Sequence, residues 1–244
     1  MNPDYQQVYT EDYYKVRAYE HGNLSEHFGL LARSIKQHIN PHLSLDVGCA
    51  RGYFVQAMHE LGIKAYGMDI SEYAINNCTQ GVKQYLALGN AEEQFPDSFD
   101  SHLFDVVTCM ECIEHLDRPW QAIAEMVRVL RPHGYIVIAS PKMTVWRILF
   151  NLVYGQAEVH PSEFNLAVWI ELFGRHRLQY MGDFAREWGI ASELRRMTIE
   201  RTYKMMPCTS TGRLLNRLGK WGRWLRVQLN VLVWEPEYML FRLR

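Results

Sequence analysis

The segment Leu45-Asp46-Val47-Gly48-Cys49-Ala50-Arg51-Gly52 is a short apolar run that meets an acidic residue and then a tight glycine turn, and an amphipathic run from Tyr53 to Leu61 follows it. The order is strand, close-approach loop, helix. A chain built this way can bring backbone N–H groups against a nucleotide-like ligand. Gly48 and Gly52 can take positive φ, or leave room where a β-carbon would collide. A glycine turn of this kind also occurs in α/β proteins that bind nothing there, so the features downstream carry the argument.

Those features alternate. Leu43–Val47 reads as a first strand and Phe54–Leu61 as a helix ended by Gly62. Lys64–Met68 is a second strand closing on Asp69, and Ser71 is a good N-cap for a helix over Glu72–Cys78. Val82–Leu88 is a third, weaker strand and Phe104–Thr108 a strongly apolar fourth. Pro119-Trp120 opens a helix running to Leu130, and Tyr135–Ala139 is a fifth strand cut by Pro141. Thr144–Tyr154 and Ser162–Phe173 read as helical, Leu178–Asp183 as a sixth strand and Glu237–Leu243 as a seventh. Repeated βα units with buried strands imply a parallel sheet covered on both faces. Ahead of them, Phe28, Leu31, Ile35 and Ile39 keep helical spacing over Leu24–Ile39, which Asn40-Pro41 stops. The expected organisation is one domain over 1–244: a helical cap at 1–40, a core at 41–183, a basic helical insertion at 184–233 and a final strand at 234–244.

At 244 residues the chain fits one α/β domain with additions, and its 48% hydrophobic content is ample for a core. A net charge of −1 argues against polyelectrolyte binding by charge alone. No stretch reaches the roughly 18 apolar residues of a membrane span. Met1–Lys15 is polar and tyrosine-rich, with no hydrophobic signal core. The five cysteines are scattered and odd in number, which points to a reducing, cytoplasmic setting. Cys109-x-x-Cys112 has no second pair to complete a zinc site, so buried small side chains are the default reading of these thiols.

In an open α/β sheet, ligands sit at the carboxyl ends of the strands, near the point where strand order reverses. Four strand ends here carry suggestive residues. The first carries the glycine turn. The second ends in Asp69, 17 residues past Gly52, a fit for an acid that binds ribose hydroxyls. The third is followed by Gly89-Asn90-Ala91-Glu92, and the fourth runs into Cys109-Met110-Glu111-Cys112-Ile113-Glu114-His115-Leu116.

This set resembles the class I S-adenosylmethionine-dependent methyltransferases over roughly residues 40–183 and again at 235–243. The matching motifs are LDVGCARG, GMDIS, GNAEEQFPD, FDVVTCMECIEHL and VRVLRPHGYIVIASP. The resemblance implies an α/β, Rossmann-like, seven-stranded, mostly parallel sheet with the last strand antiparallel and helices on both faces. It implies S-adenosyl-L-methionine as the cofactor, held by Asp46, Gly48, Ala50, Gly52, Asp69, Ile70, Asn90, Ala91 and Met110. The turn would lie under the methionine part, Asp69 at the ribose hydroxyls, Asn90-Ala91 at the adenine edge, and Met110 or Glu111 near the amino-acid portion. Two departures stand out. Ala50 replaces the middle glycine common in the turn. Asn90 replaces an aspartate, and its carbonyl oxygen can still accept from the adenine amino group.

A sulfonium methyl is already electrophilic, so the enzyme must align the acceptor, exclude water and keep the acceptor deprotonated. Glu111, Glu114 and His115 stand at i, i+3 and i+4. On a helical turn they project to one side, and two carboxylates with an imidazole can hold a divalent cation such as Mg that acidifies a bound hydroxyl. This E-x-x-E-H pattern looks like that of the quinone-pathway phenol O-methylases and the metal-assisted RNA 2′-O-methyltransferases. The resemblance to the RNA enzymes implies a further ligand at His160. The alternative is that the Glu-His pair braces the loop, without metal. His115, His160 and Glu111 are the expected catalytic residues.

Residues 175–226 hold 12 Lys/Arg and 4 Asp/Glu. A basic insertion of this kind suggests an anionic, phosphate-bearing or lipid-linked acceptor. Its stretch 213–229, with Leu214, Leu218, Trp221, Leu225 and Leu229 on one stripe, reads either as an interfacial membrane helix or as an amphipathic lid packed on the sheet. Tyr9, Tyr13 and Tyr14 either close over the donor or pack on the surface. The expected activity is methyl transfer to an oxygen of a small-molecule, sugar or lipid-linked acceptor. The alternatives are RNA 2′-O-methylation and a non-catalytic donor-binding partner. No nucleic-acid-binding module is recognisable, so nucleic acid ranks below a small acceptor.

Overall fold

A computed structural model of the chain describes residues 8–16, 23–142, 161–197 and 236–244. The elements are α1 (Glu11–Val16), α2 (Asn23–His38), β1 (Leu43–Val47), α3 (Tyr53–Glu60), β2 (Lys64–Asp69), α4 (Glu72–Asn76), β3 (Leu86–Leu88), β4 (Phe104–Met110), α5 (Pro119–Val129), β5 (Leu130–Pro141), α6 (Leu166–Gly174), β6 (Leu178–Asp183), α7 (Phe184–Glu187) and β7 (Pro236–Leu243). Residues 191–197 are also helical.

The seven strands form one sheet in the order β3-β2-β1-β4-β5-β7-β6. β1 pairs in parallel with β2 and β4, β2 with β3, and β4 with β5. β7 runs antiparallel to both β5 and β6. The inner strands bury both faces, and period-two alternation sends neighbours to opposite sides. Val107, Ile136 and Ile138 join one apolar cluster with Met126 of α5 and Trp169 and Phe173 of α6. Val106 and Val137 join the other, with Leu31 and Ile35 of α2, Phe54 and Met58 of α3, and Phe184 of α7. The strand order reverses between β1 and β4, so their carboxyl ends diverge and leave a crevice.

Three local departures from the sequence reading have physical causes. The third strand, expected over Val82–Leu88, begins only at Leu86, after a 3₁₀ turn at Lys83–Tyr85. β3 is an edge strand whose ladder to β2 starts at Gly67↔Leu86, and the exposed Lys83 and Gln84 have no sheet neighbour to extend it. The fifth strand is longer than Tyr135–Ala139, because β4 recruits Leu130 opposite Phe104 before the register shifts and resumes at Val106↔Tyr135. The helix expected over Ser162–Phe173 starts later, at Leu166, where the Asn165 side chain accepts from the Val168 amide at 3.1 Å. The helix expected at Thr144–Tyr154 and residues 198–233 of the expected insertion lie outside the described residues. No helix among the described residues is long and apolar enough to cross a membrane.

Candidate functional site

The crevice is walled by the exits of β1, β2, β3 and β4. At the β1 exit, the Gly48 and Cys49 amides both donate to Met68 O, at 2.8 and 3.0 Å, and the Gly52 amide donates to Cys49 O at 2.8 Å. The Ala50 amide donates to Asp69 Oδ2 at 2.7 Å. The amides of 48, 49, 50 and 52 are therefore spent within the protein. The turn offers a ligand a closely approachable backbone surface, not the cradle of free N–H groups that its glycines suggest.

Gly48 lies at φ 77°, and a β-carbon there would stand 2.5 Å from Cys112 Sγ. Ala50 holds φ 46°, a left-handed conformation that costs an L-residue about 1 kcal/mol. Gly52, at φ 76°, caps α3 and packs under Val82 and Leu86, away from the cleft.

Asp69 is the hinge of the site. Its Oδ1 accepts from the Ser71 amide at 2.8 Å, while Oδ2 takes Ala50. Burial pushes its pKa up, against the pull of the Ser71, Ala50 and Ile70 amides. Three amides on about four lone-pair sites leave the carboxylate one further site for a ligand hydroxyl. Ser71 Oγ accepts from the Ala74 amide at 3.1 Å and donates to Tyr9 O at 2.9 Å, which ties the amino-terminal segment to α4. Tyr14 stacks on Tyr73 with centroids 5.6 Å apart, and Tyr9, Tyr13 and Tyr14 all line the cleft.

At the β3 exit, Asn90 Oδ1 accepts from the Glu92 amide at 3.0 Å and Nδ2 donates to Glu93 at 3.1 Å. One lone pair of that oxygen remains for a ligand donor. Glu92, buried, accepts from the Arg118 amide and so braces the β3 exit against the start of α5. At the β4 exit, Glu111 sits at φ 50° with its amide on Ala139 O at 2.7 Å. A 3₁₀ turn, Ile113–His115, follows.

The resulting cleft opens to solvent, takes in about 720 Å³ with that solvent-side space included, and is lined by Gly48, Ala50, Asp69, Ile70, Asn90, Ala91, Met110, Glu111, Cys112 and His115 and by the three tyrosines. Asp46 lines a second chamber with Leu24, His27, Phe28, Tyr53 and Tyr238. The two chambers share Gly48, Ala50, Met110 and Glu111. Asp46 Oδ1 accepts from Thr108 Oγ1 at 2.6 Å. Burial lifts its pKa to about 7, the Thr108 bond opposing and the Asp69 charge adding. His27, Tyr53 and Tyr238 escaped the sequence reading. They come from α2, α3 and β7, and no spacing in the sequence links positions 27, 53 and 238.

Among the described residues the expected cation ligands Glu111, Glu114 and His115 are not brought together. Glu111 and His115 face the cleft, but Glu114 is almost fully buried and lines neither chamber. Glu111 stands left-handed ahead of the 3₁₀ turn, so 111, 114 and 115 are not in phase on one helical face. Among the described residues no three His, Cys, Asp or Glu side chains group as metal ligands. His160 lies outside the described residues. Its neighbour Ser162 is brought to this loop, the amide donating to Glu114 O at 3.1 Å and Oγ to Leu116 O at 2.6 Å.

Residues 45–138 match the family described as "Methyltransferase domain". Over these residues the chain is similar to methyltransferase domains. The match runs from Leu45, within β1, through most of β5 and so spans the strand-order reversal. The ubiquinone biosynthesis O-methyltransferase of Idiomarina loihiensis is 32% identical over 120 residues, 46% of this chain and 47% of that protein. That of Coxiella burnetii is 28% identical over 155 residues, 57% of this chain and 65% of that protein. The chain spans about half the length of the curated relatives it matches. Among solved structures, magnesium protoporphyrin IX methyltransferase from Synechocystis, with bound SAH, superposes on this chain with TM-score 0.59 at 12% identity, covering 73% of this chain and 90% of that one. The cyclase SpnF superposes with TM-score 0.59 at 15% identity, covering 88% and 80%. These likenesses are of fold.

Proposed function

We propose that this chain transfers a methyl group from S-adenosylmethionine to an oxygen of a small-molecule acceptor. The observation that carries this reading is the Asp69 carboxylate, held by the Ala50 and Ser71 amides on the rim of a cleft at the strand-order reversal. A ribose hydroxyl of the donor would donate to Asp69, its adenine would lie by Asn90 and Ala91, and its amino-acid end would pass Gly48 and Met110. S-adenosylmethionine supplies an electrophilic methyl. The chain's own residues align the acceptor, exclude water and take a proton.

The second chamber suits the acceptor. Phe28, Tyr53 and Tyr238 give it aromatic walls, and Asp46, Glu111 and His27 give it groups that can take a proton. A flat ring bearing a hydroxyl fits that mixture, and the names of the O-methyltransferase relatives support a small hydroxylated acceptor. Asp46, with a pKa near neutrality, and His27 join His115 and Glu111 as candidate bases. The described residues form no cation site. An anionic or lipid-linked tail on the acceptor is a further element of the proposal, resting on the 12 Lys/Arg of residues 175–226.

Calorimetry with S-adenosylhomocysteine, followed by transfer of a tritiated methyl group to catechol and a panel of substituted phenols, tests the proposal. Binding with label on a phenolic oxygen is the expected result. No binding overturns the donor assignment, and binding with no transfer to any hydroxyl acceptor overturns the O-directed reaction.

A further inference from the structure

The second chamber lies against one face of the sheet. Met110, Ala139 and Tyr238 stand side by side across β4, β5 and β7, in the pairs Met110↔Ala139 and Ala139↔Tyr238, and all three line it. Tyr53 enters from the first turn of α3. α2 supplies a further wall. Leu24, Phe28, Leu31 and Ile35 fall on one face of that helix, and Leu24, Leu31 and Ile35 are buried. His27 stands three positions past Leu24 and four before Leu31, so it shares this inward stripe. It is partly exposed, lines the chamber, and meets the Phe28 ring edge-on with centroids 5.4 Å apart. Phe28 in turn meets the buried Phe54 of α3 at 6.2 Å, which seats α2 against the domain.

The donor cleft and this chamber share Gly48, Ala50, Met110 and Glu111. A methyl group held on the donor side has to cross at that shared wall, so the acceptor's oxygen meets it from the second chamber. The four candidate bases then separate by place. His115 lines the donor cleft and not the second chamber. Glu111 belongs to both, but it is left-handed and held through its amide to Ala139 O, and a carboxylate is ordinarily a weaker base than an imidazole by about two pKa units. Asp46 lines the chamber but is only 4% exposed, and one of its oxygens already accepts from Thr108 Oγ1 at 2.6 Å. His27 remains, an accessible imidazole on the acceptor's side of the shared wall.

We propose that His27 is the catalytic base: from the α2 wall of the second chamber, its imidazole takes the hydroxyl proton of an aromatic acceptor as the methyl group arrives. This rests on the proposed function and names the residue that completes it. The acceptor oxygen's electron pair forms the new C–O bond, while the C–S bond breaks and leaves its pair on sulfur. The O–H proton goes to a ring nitrogen of His27. The positive charge lost at sulfur reappears on the imidazolium, so the step creates no net charge. Asp46 and Glu111 line the same chamber and offer that cation two carboxyl groups. Cys49, Tyr53 and Tyr238 are the other titratable groups around it, and Glu26, beside His27 on α2, pairs with Arg196 at 3.4 Å. The partly exposed ring can then return its proton to solvent.

The test uses the full chain and 4-nitrocatechol, a catechol whose ionised hydroxyl absorbs in the visible. The probe is added to the chain saturated with S-adenosylhomocysteine, and its spectrum is followed from about pH 5 to 9, the range that brackets an imidazole. The expected result is a bound probe that ionises about tenfold more readily in wild type than in His27→Gln, a difference of about one pKa unit. Glutamine keeps a polar side chain of similar reach but takes no proton, and a circular dichroism melt shows whether that variant folds. A second measurement needs no variant. In wild type labelled with ¹⁵N-histidine, the His27 ring, assigned through its contact with Phe28, should become imidazolium as the phenolate band appears. The proposal is overturned if the probe does not bind, if it ionises alike in wild type and His27→Gln, or if the His27 ring stays neutral while the band forms. Loss of the band in Asp46→Asn with its survival in His27→Gln would pass the role to Asp46 and likewise overturn it. If the chain does not bind S-adenosylhomocysteine, the donor reading falls, and the same titration run without it still decides whether His27 takes the proton.

Discussion

The Asp69 carboxylate accepts the Ala50 amide at 2.7 Å, joining the end of β2 to the turn after β1. One side chain thereby shapes the turn and presents acceptor oxygens to the cleft. Asp69→Ala should weaken S-adenosylhomocysteine binding by about ten- to a hundredfold, the range for losing hydrogen bonds to a charged group. Isothermal calorimetry reads this directly, and an unchanged dissociation constant would remove the acid from the donor site.

Ala50 carries a β-carbon at φ 46°, where glycine would rest without strain. Ala50→Gly relieves that strain and at the same time loosens the unfolded chain, so the expected gain in stability is at most about 1 kcal/mol. Ala50→Val places a branched side chain in the same conformation and should cost about 1–2 kcal/mol. Urea midpoints of the two variants should move in opposite directions from wild type.

Asp46 has a folded pKa of about 7, above its ordinary 3.8. Between those values the folded protein holds a proton that the unfolded chain has released. The folded state binds more protons there, so this residue makes stability fall as pH rises through the window. Asp46→Asn should flatten that part of the curve of unfolding free energy against pH. A slope in the variant equal to that of wild type would show that Asp46 is already ionised in the folded protein.

Ser71 caps α4 through the Ala74 amide and holds Tyr9 O with its own hydroxyl hydrogen. Ser71→Ala should cost about 1 kcal/mol as a lost cap. It should also release the amino-terminal tyrosines from α4, which limited proteolysis would report as faster cleavage near residues 8–16. A melt that shifts without any change in cleavage would confine Ser71 to its capping role.

Much of the site was legible because it is built from local signals. Asp69 closes an apolar run, Ser71 precedes a helix, and Gly48 sits between strand and helix. Each follows from residues within a few positions of it. That Glu111, Glu114 and His115 do not share one face has a reason the sequence does not carry. Glu111 keeps its left-handed backbone because its amide is claimed by Ala139, on the neighbouring strand, and this throws Glu111 out of phase with Glu114. The fate of the turn amides of Gly48, Cys49 and Ala50 was hidden in the same way, since their acceptors are Met68 and Asp69 on β2.

By itself, the order of apolar runs, turns and caps determined a mostly parallel α/β sheet, the strand ends that carry polar residues, and the acid that faces the cleft. These are consequences of backbone geometry, hydrophobic burial and short-range hydrogen bonds. Only the tertiary structure decided that His27, Tyr53 and Tyr238 share a chamber with Asp46, that Glu114 turns inward, and that Cys112 lies on Gly48. Those outcomes depend on which segments, far apart in the chain, pack side by side, and on burial that shifts a carboxyl's affinity for its proton. Neither is written in the spacing of neighbouring residues.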